Sequence, residues 1–314
     1  MVAVVPPILT LGRALRARYG RPLRRAMLDL GLTCPNRDGA KGFGGCIYCD
    51  IAGSGTGAAR SADLAAQWTR QMARLRRAEP EGPAAIAYLQ SYSNTYPDLE
   101  PLAHALEFLA ARRGEAPILA IGTRPDCFTP EAAALLARWR PHFDAVWLEL
   151  GLETADDQVQ ARIGRHDTLA NFHRAAALAH EHDLEVVCHT IAGLPGERPG
   201  GLLRQVQAAT EAGVEGIKFH QLLVLRRTKL EAMWRRGEVE LLACEDYVRM
   251  VADALELLPS HVVVHRLAAQ APAEEYLAPL GWPSKAAVHG LIERELLDRG
   301  SRQGARAPLA TAAR

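Results

Sequence analysis

The chain of 314 residues has no apolar run of the roughly 18–20 residues that a bilayer-spanning helix needs. Its first stretch, Met1-Val2-Ala3-Val4-Val5-Pro6-Pro7, lacks a basic flank followed by a long apolar region and does not read as a signal peptide. No membrane partner is expected. Net charge is also nearly missing: 37 basic against 36 acidic residues leave +1, which argues against a polyanion trap or an acidic tail. Lysine is scarce beside arginine, and a coding-composition bias accounts for that. A disulfide framework is missing too. Of six cysteines, three cluster between Cys34 and Cys49 and the others are scattered. That distribution suits a metal site in a reducing cytoplasm.

What is present is alternation. Buried-type strands are expected at 23–33, 84–90, 117–123, 144–151, 185–193 and 214–223. Helices are expected between them at 61–78, 99–113, 130–140, 155–163 with 168–182, and 199–212, and after the last strand at 228–236. Ser61 and Thr129 are plausible N-caps. Six strand–helix units argue a parallel sheet, α/β in class, and an incomplete (β/α)6 TIM-like barrel over 23–240. Residues 1–22 form a basic N-terminal segment. Residues 241–302 form a C-terminal α/β cap with a strand at 261–267, and 303–314 a disordered tail.

The loop after strand one carries the chemistry: Thr33-Cys34-Pro35-Asn36-Arg37-Asp38-Gly39, then Gly44-Gly45-Cys46-Ile47-Tyr48-Cys49. A structural zinc site would want four Cys or His ligands, usually as two short-spaced pairs. Here there is one Cys-x2-Cys pair and one distant single, and the next histidine is His104. Three thiolates can instead hold an iron–sulfur cluster at three irons, leaving one iron open to a ligand that is not protein. A parallel barrel places its chemistry at the C-terminal ends of its strands, where this loop falls.

The loop resembles that of a bacterial radical S-adenosylmethionine (SAM) family related to the catalytic subunit of Elongator. Further matches follow in order: Gln90-Ser91-Tyr92-Ser93-Asn94-Thr95-Tyr96, Ile121-Gly122-Thr123-Arg124-Pro125-Asp126-Cys127, Trp147-Leu148-Glu149-Leu150-Gly151-Leu152-Glu153-Thr154, Ala192-Gly193-Leu194-Pro195-Gly196-Glu197 and Gly216-Ile217-Lys218-Phe219-His220. The resemblance covers about Tyr19 to Gln303. It implies a radical SAM barrel, with a [4Fe-4S] cluster on Cys34, Cys46 and Cys49 that cleaves SAM to a 5′-deoxyadenosyl radical. An external electron donor of the flavodoxin or ferredoxin type is implied as well. The segment Arg162-Ile163-Gly164-Arg165-His166-Asp167 is one residue shorter than the family pattern, and Arg165 is carried over as a cofactor contact.

The other strand ends supply candidates. Ser91 can bind SAM or substrate, or make a turn before a helix. Thr123 and Arg124 end strand three, and Arg124 suits the SAM carboxylate. Glu149 shares a strand face with Gly151, so it points into the barrel, where an unpaired carboxylate is costly. SAM's ribose hydroxyls or ammonium are its expected ligands. Glu153 reads as an exposed helix-start residue. The turn at Gly193 and Pro195 is expected against the adenine. Lys218 and His220 share one face of strand six and are expected to touch substrate or move a proton. Cys127 reads as a hydrogen-atom donor or a small buried hydrophobe. His265 and Arg266 are weaker candidates, and His189, Cys188 and Cys244 read as structural.

For the substrate, the resemblance implies tRNA, as in wobble-uridine modification, with the basic N-terminal run on phosphates. A small metabolite is the alternative substrate. A non-catalytic metal-binding or regulatory protein is the alternative of another class.

Overall fold

The computed structural model describes residues 6–50, 53, 63–78 and 85–308. The strands are β1 (Arg24–Leu28), β2 (Ala85–Leu89), β3 (Ile118–Thr123), β4 (Ala145–Glu153), β5 (Glu185–Ala192), β6 (Gly216–Gln221), β7 (Val224–Leu225), β8 (Val263–Arg266) and β9 (Tyr276–Ala278). The helices are α1 (Leu11–Tyr19), α2 (Leu64–Ala78), α3 (Glu100–Ala110), α4 (Pro130–Trp139), α5 (Asp157–Arg162), α6 (Leu169–His180), α7 (Gly201–Glu211), α8 (Lys229–Arg235), α9 (Cys244–Leu257) and α10 (Lys285–Asp298). The expected elements fall where the periodicity puts them, most of them shortened at their ends and β4 extended to Glu153, while α1, β7 and β9 were not expected. Thr129 caps α4 through Ala132 N–H. Ser61 lies outside the described residues; Asp63 accepts from Ala65 N–H at the start of α2.

One sheet holds the strands in the order β1-β2-β3-β4-β5-β6-β8, every pair parallel. The seventh strand comes from the C-terminal extension, which therefore completes the sheet as well as capping it. The sheet is curled into a half-barrel. In a flat sheet β2 and β6 would stand about 19 Å apart, four strand spacings. Yet Lys218 Nζ on β6 lies 3.1 Å from Tyr88 OH on β2. Strands β2 and β4 are buried almost throughout, as a parallel sheet covered on both faces requires.

Two apolar layers follow from the alternation of side chains. Outward residues such as Leu28, Leu89, Leu119 and Leu148 pack under the helices. Inward residues at the strand starts, among them Ile86, Ile118, Ala145, Trp147 and Val187, meet Leu15 and partly buried Leu11 and Tyr19 of α1. Helix α1 thus closes the N-terminal end of the barrel, and each large side chain buried there contributes about 1.5–3 kcal/mol. Arg16 and Arg18 on α1 are exposed at this closed end. Gln303, where the tail was expected to begin, is buried. Its amide bonds Leu9 N–H, Pro259 O and Val262 O, so the ordered chain continues past it. Residues 309–314 lie outside the described residues.

Candidate active site

The loop after β1 is shaped by its glycines. Gly39, Gly44 and Gly45 have φ of 95°, 78° and 82°, in the left-handed region that disfavours other residues. A Cβ on Gly45 would stand 3.2 Å from Arg37 Nε and 3.4 Å from Cys49 Cβ. The Asn36-Arg37 pair between the first and second cysteines has a physical role. Asn36 Nδ2 donates to Gly164 O (2.9 Å), Arg165 O (2.8 Å) and Cys46 Sγ (3.4 Å). Arg37 Nη2 donates to Cys49 Sγ at 3.4 Å and to Asp50 O. N–H groups aimed at sulfur stabilise thiolates and tune whatever metal they hold.

Cys34, Cys46 and Cys49 line one cavity of about 380 Å³ at the C-terminal ends of the strands. Burial, and then Cys46, push the Cys49 thiol up to about 12, so a metal must displace a proton there. Among the described residues no three Cys, His, Asp or Glu groups come close enough to share a single ion. Three thiols on one cavity are a donor set that suits an iron–sulfur group, in which each can bind its own iron.

Strand ends complete the cavity wall. The Thr123 hydroxyl bonds Ser93 (2.8 Å) and Thr95 (2.6 Å). Arg124 is a fork on Asp126, with Nε–Oδ1 at 2.8 Å and Nη2–Oδ2 at 2.7 Å. Its Nη1 is buried with no partner among the described residues. Against the raising effect of burial, Arg124 and Lys41 hold Asp126 well below the usual carboxylate range. Arg165 Nη2 donates to Gly151 O at 2.6 Å, and its Nη1 is 3.9 Å from Glu153. A Cβ on Gly151 would meet Glu153 Oε1 at 2.4 Å and Arg165 Nη2 at 2.8 Å, so a larger residue there would displace the ends of both side chains.

Deeper in the barrel lies a polar ladder. Glu149 Oε2 accepts from His189 Nε2 (2.9 Å), Tyr88 OH and Lys218 Nζ. Burial would raise Glu149; Lys218, His189 and Arg25 outweigh it and hold the carboxyl well below its ordinary value. Burial lowers Lys218 more than Glu149 lifts it, and burial with Lys218 pushes His189 down to about 4. His220 stacks on His189 with centroids 5.8 Å apart and meets Arg266 Nη1 at 3.2 Å.

The structure thus brings Cys34, Cys46, Cys49, Thr123, Arg124, Glu149, Arg165 and His220 to one cavity. Five of the main candidates do not reach its wall. Lys218 is fully buried behind Glu149. The Cys127 carbonyl is bonded by Thr95, and burial pushes its thiol up to about 12. Ser91 is buried off the wall, its strand neighbours Gln90 and Tyr92 facing in instead. Gly193 has φ 85° and packs against Leu242, and Pro195 lies beyond it. Conversely, His189 and Glu153, read as structural and exposed, line the cavity, and Tyr88 was missed. The spacing of Tyr88 to Gln90 on one strand face was the available signal. His265 stacks edge-on against Trp147 at 4.7 Å, off the wall, while Arg266 lines it.

Comparison with known proteins agrees with this geometry. The Radical SAM superfamily matches residues 34–225, and the Radical_SAM C-terminal domain matches 214–298. The chain belongs to the radical SAM superfamily, whose members work with a [4Fe-4S] cluster and SAM. Within it, the chain is 34% identical over 296 residues to the uncharacterized protein YtqA of Bacillus subtilis, covering 94% of this chain and 91% of that one. It is 28% identical over 179 residues to the tRNA uridine(34) acetyltransferase of Dehalococcoides mccartyi, 56% of this chain and 38% of that one. The solved archaeal Elp3 of Methanocaldococcus infernus shares the fold, with a TM-score of 0.66 and 17% identity over 76% of this chain and 59% of that one.

Proposed function

We propose that the chain is a radical SAM enzyme in which Cys34, Cys46 and Cys49 each bind one iron of a [4Fe-4S] cluster and SAM occupies the adjoining cavity. The observation that carries this is the meeting of three cysteine sulfurs with Arg124, Glu149 and Arg165 on one cavity wall. A [4Fe-4S] cluster held by Cys34, Cys46 and Cys49 would supply SAM with one electron from a flavodoxin- or ferredoxin-type donor, the chemistry that breaks the C5′–S bond into methionine and a 5′-deoxyadenosyl radical able to take a hydrogen atom from substrate. Arg124, oriented by Asp126, offers its unpartnered Nη1 to the SAM carboxylate. Glu149 Oε1 has no partner among the described residues and can accept from a ribose hydroxyl or the ammonium. Asn36 and Arg37 hold the Cys46 and Cys49 sulfurs in place. Ile47, Ile191 and Leu222 form part of an apolar cluster around the site that excludes water.

For the substrate, the likeness to tRNA uridine(34) acetyltransferases supports a nucleoside in tRNA. RNA would approach the mouth, where Phe43 is 77% exposed and Lys41, Arg227 and Lys229 are exposed. The basic N-terminal run lies at the opposite, closed end and is not part of this reading. A small metabolite is the second reading, favoured by the charged barrel floor described below.

The test is anaerobic reconstitution with iron and sulfide, then SAM and a strong reductant. The expected result is a brown protein that releases 5′-deoxyadenosine. Replacing Cys34, Cys46 and Cys49 together by Ala should abolish both, and a triple variant that still cleaves SAM sinks the reading. Binding of tRNA, measured against salt, should weaken steeply as salt rises. Binding without salt dependence removes the RNA version.

A further inference from the structure

The end strands of the half-barrel, β1 and β8, do not pair with each other among the described residues, and the β8 edge is bridged at Val264 by Leu9 and Thr10. Arg25 points inward from β1, and Arg266 from β8 on the other side of the gap. Both line the cavity, on the floor below Glu149 and His220. Arg25 Nε and Nη2 and Arg266 Nε are buried with no hydrogen-bond partner among the described residues. Arginine does not deprotonate in proteins, so the floor holds two permanent cations. The nearby carboxylate, Glu149, accepts from Tyr88, His189 and Lys218 through Oε2; its charge acts on both arginines, but it gives neither of their unpartnered N–H groups a hydrogen bond. Tyr88 lies under Arg25, with the guanidinium carbon 5.6 Å from the ring centroid, which holds the side chain against the floor. Buried guanidinium N–H groups without acceptors are costly, and two like charges facing each other add to the cost. Such an arrangement persists where a ligand supplies the missing charge.

We propose that Arg25 and Arg266, with His220 beside them, form a subsite for an oxyanion, so that the substrate is a small molecule carrying a carboxylate or phosphate. This rests on the radical SAM reading for the word substrate; the subsite itself rests on the two arginines. Desolvation, then Arg266 and Arg25, lower the ammonium of Lys285 at the start of α10 to about 8, although Lys285 itself is exposed and not part of the cavity wall. Burial and Arg266 hold His220 well below its ordinary value, so it is neutral at physiological pH and able to donate one hydrogen bond. With the anion pinned at the floor, the rest of the substrate extends up toward the cysteine loop, where hydrogen abstraction takes place.

The test uses the reconstituted protein, with inorganic phosphate and acetate as probes. At constant ionic strength held with chloride, phosphate or acetate should raise the melting temperature of the wild type saturably, because a ligand that binds only the fold stabilises it. Calorimetric titration should show affinity falling about tenfold or more in Arg25→Gln and in Arg266→Gln, the size of a lost charged hydrogen bond. Tighter phosphate than acetate points to a phosphorylated substrate, and the reverse to a carboxylic acid. Arg16→Gln, at the closed end, should bind as the wild type does. Equal binding in the wild type and the Arg25→Gln/Arg266→Gln double variant overturns the proposal, as does a complete lack of saturable binding by the wild type. A fall in SAM affinity in step with phosphate affinity also overturns it, since the guanidiniums would then hold SAM's own carboxylate. A wild type that binds phosphate through these arginines yet never cleaves SAM would keep the subsite and sink the radical SAM reading. Should either single variant fail to fold, the phosphate-specific rise in wild-type melting temperature and the Arg266→Lys variant, which keeps the charge, decide the matter.

Discussion

The closed base and the open mouth of this barrel are built from the same strands and obey opposite rules. On β4 the inward residues run Ala145, Trp147, Glu149, Gly151, Glu153, apolar first and then polar or bare. Strand β2 changes at Tyr88, β5 at His189 and β6 at Lys218. Below that level side chains fill the space and α1 seals it. Above it, buried polar atoms such as Arg124 Nη1, Arg165 Nε, Glu149 Oε1 and Tyr48 OH lack partners among the described residues. An apolar plug contributes stability outright. A wall of underused donors and acceptors costs stability and is retained where a ligand completes it. The difference separates what folds this chain from what the chain does.

The largest effect should come from the mouth. The Cys34, Cys46, Cys49 triple Ala variant is expected to lose SAM cleavage entirely while its urea midpoint as apoprotein stays close to the wild type; a collapsed midpoint would show that the loop also carries the fold. At the boundary, Glu149→Gln leaves Lys218 buried without its counter-charge. A cost of about 3–5 kcal/mol is expected from urea denaturation, with much of it recovered in the Glu149→Gln/Lys218→Met double variant. Additive losses in the double variant would mean that the pair is not coupled.

The same boundary makes stability depend on pH. Burial lowers the folded pKa of His189, His220 and His265. Below about pH 6.5 the unfolded chain therefore binds protons that the fold refuses, and stability falls with pH. About 1 kcal/mol per histidine should be lost between pH 7.5 and 5.5. Glu149 acts in the same direction lower down: its folded pKa is depressed, so its contribution is lost as pH falls below about 4.5 and through that depressed value. A urea midpoint that is flat from pH 7.5 to 5.5 would contradict the neutral histidines. At the base, Leu15→Ala should cost about 2–3 kcal/mol by creating a cavity in the plug. SAM cleavage per folded molecule should stay unchanged; a drop in turnover would mean that the plug also positions the site.

Much of this was legible in the sequence, for reasons that can be named. Parallel strands covered on both faces read as apolar runs, so the barrel and its loop were visible from periodicity and from the Cys-x2-Cys pair. Glu149 was legible because a carboxylate two residues from Gly151 on a strand has one face to choose. What the sequence hid depends on curvature. Nothing in the run of β2 and β6 says that Tyr88 meets Lys218, and only that meeting takes Lys218 off the cavity wall and behind Glu149. His189 read as structural because its partner is 40 residues away. The extension read as a cap because a short strand at 263–266 does not announce which sheet edge it joins.

The smallest expected effect bears most directly on the contrast between the two ends. Arg16 is exposed on the outer side of α1, at the base, and belongs to the basic run whose obvious use is nucleic acid. Exposed sites away from such packing features shift stability by about 0.5 kcal/mol or less on substitution. Arg16→Gln should therefore leave the urea midpoint, SAM cleavage and any tRNA affinity where they were. Lys229→Gln, which removes the cation bonded to Phe43 O beside the cysteine loop, should lower tRNA affinity and reduce its salt slope by about one. If instead Arg16 carries the salt dependence and Lys229 does not, RNA lies across the sealed base. The chemistry at the mouth would then need a substrate delivered some other way, and the reading of a small molecule anchored by its anion at the floor would gain over the RNA one.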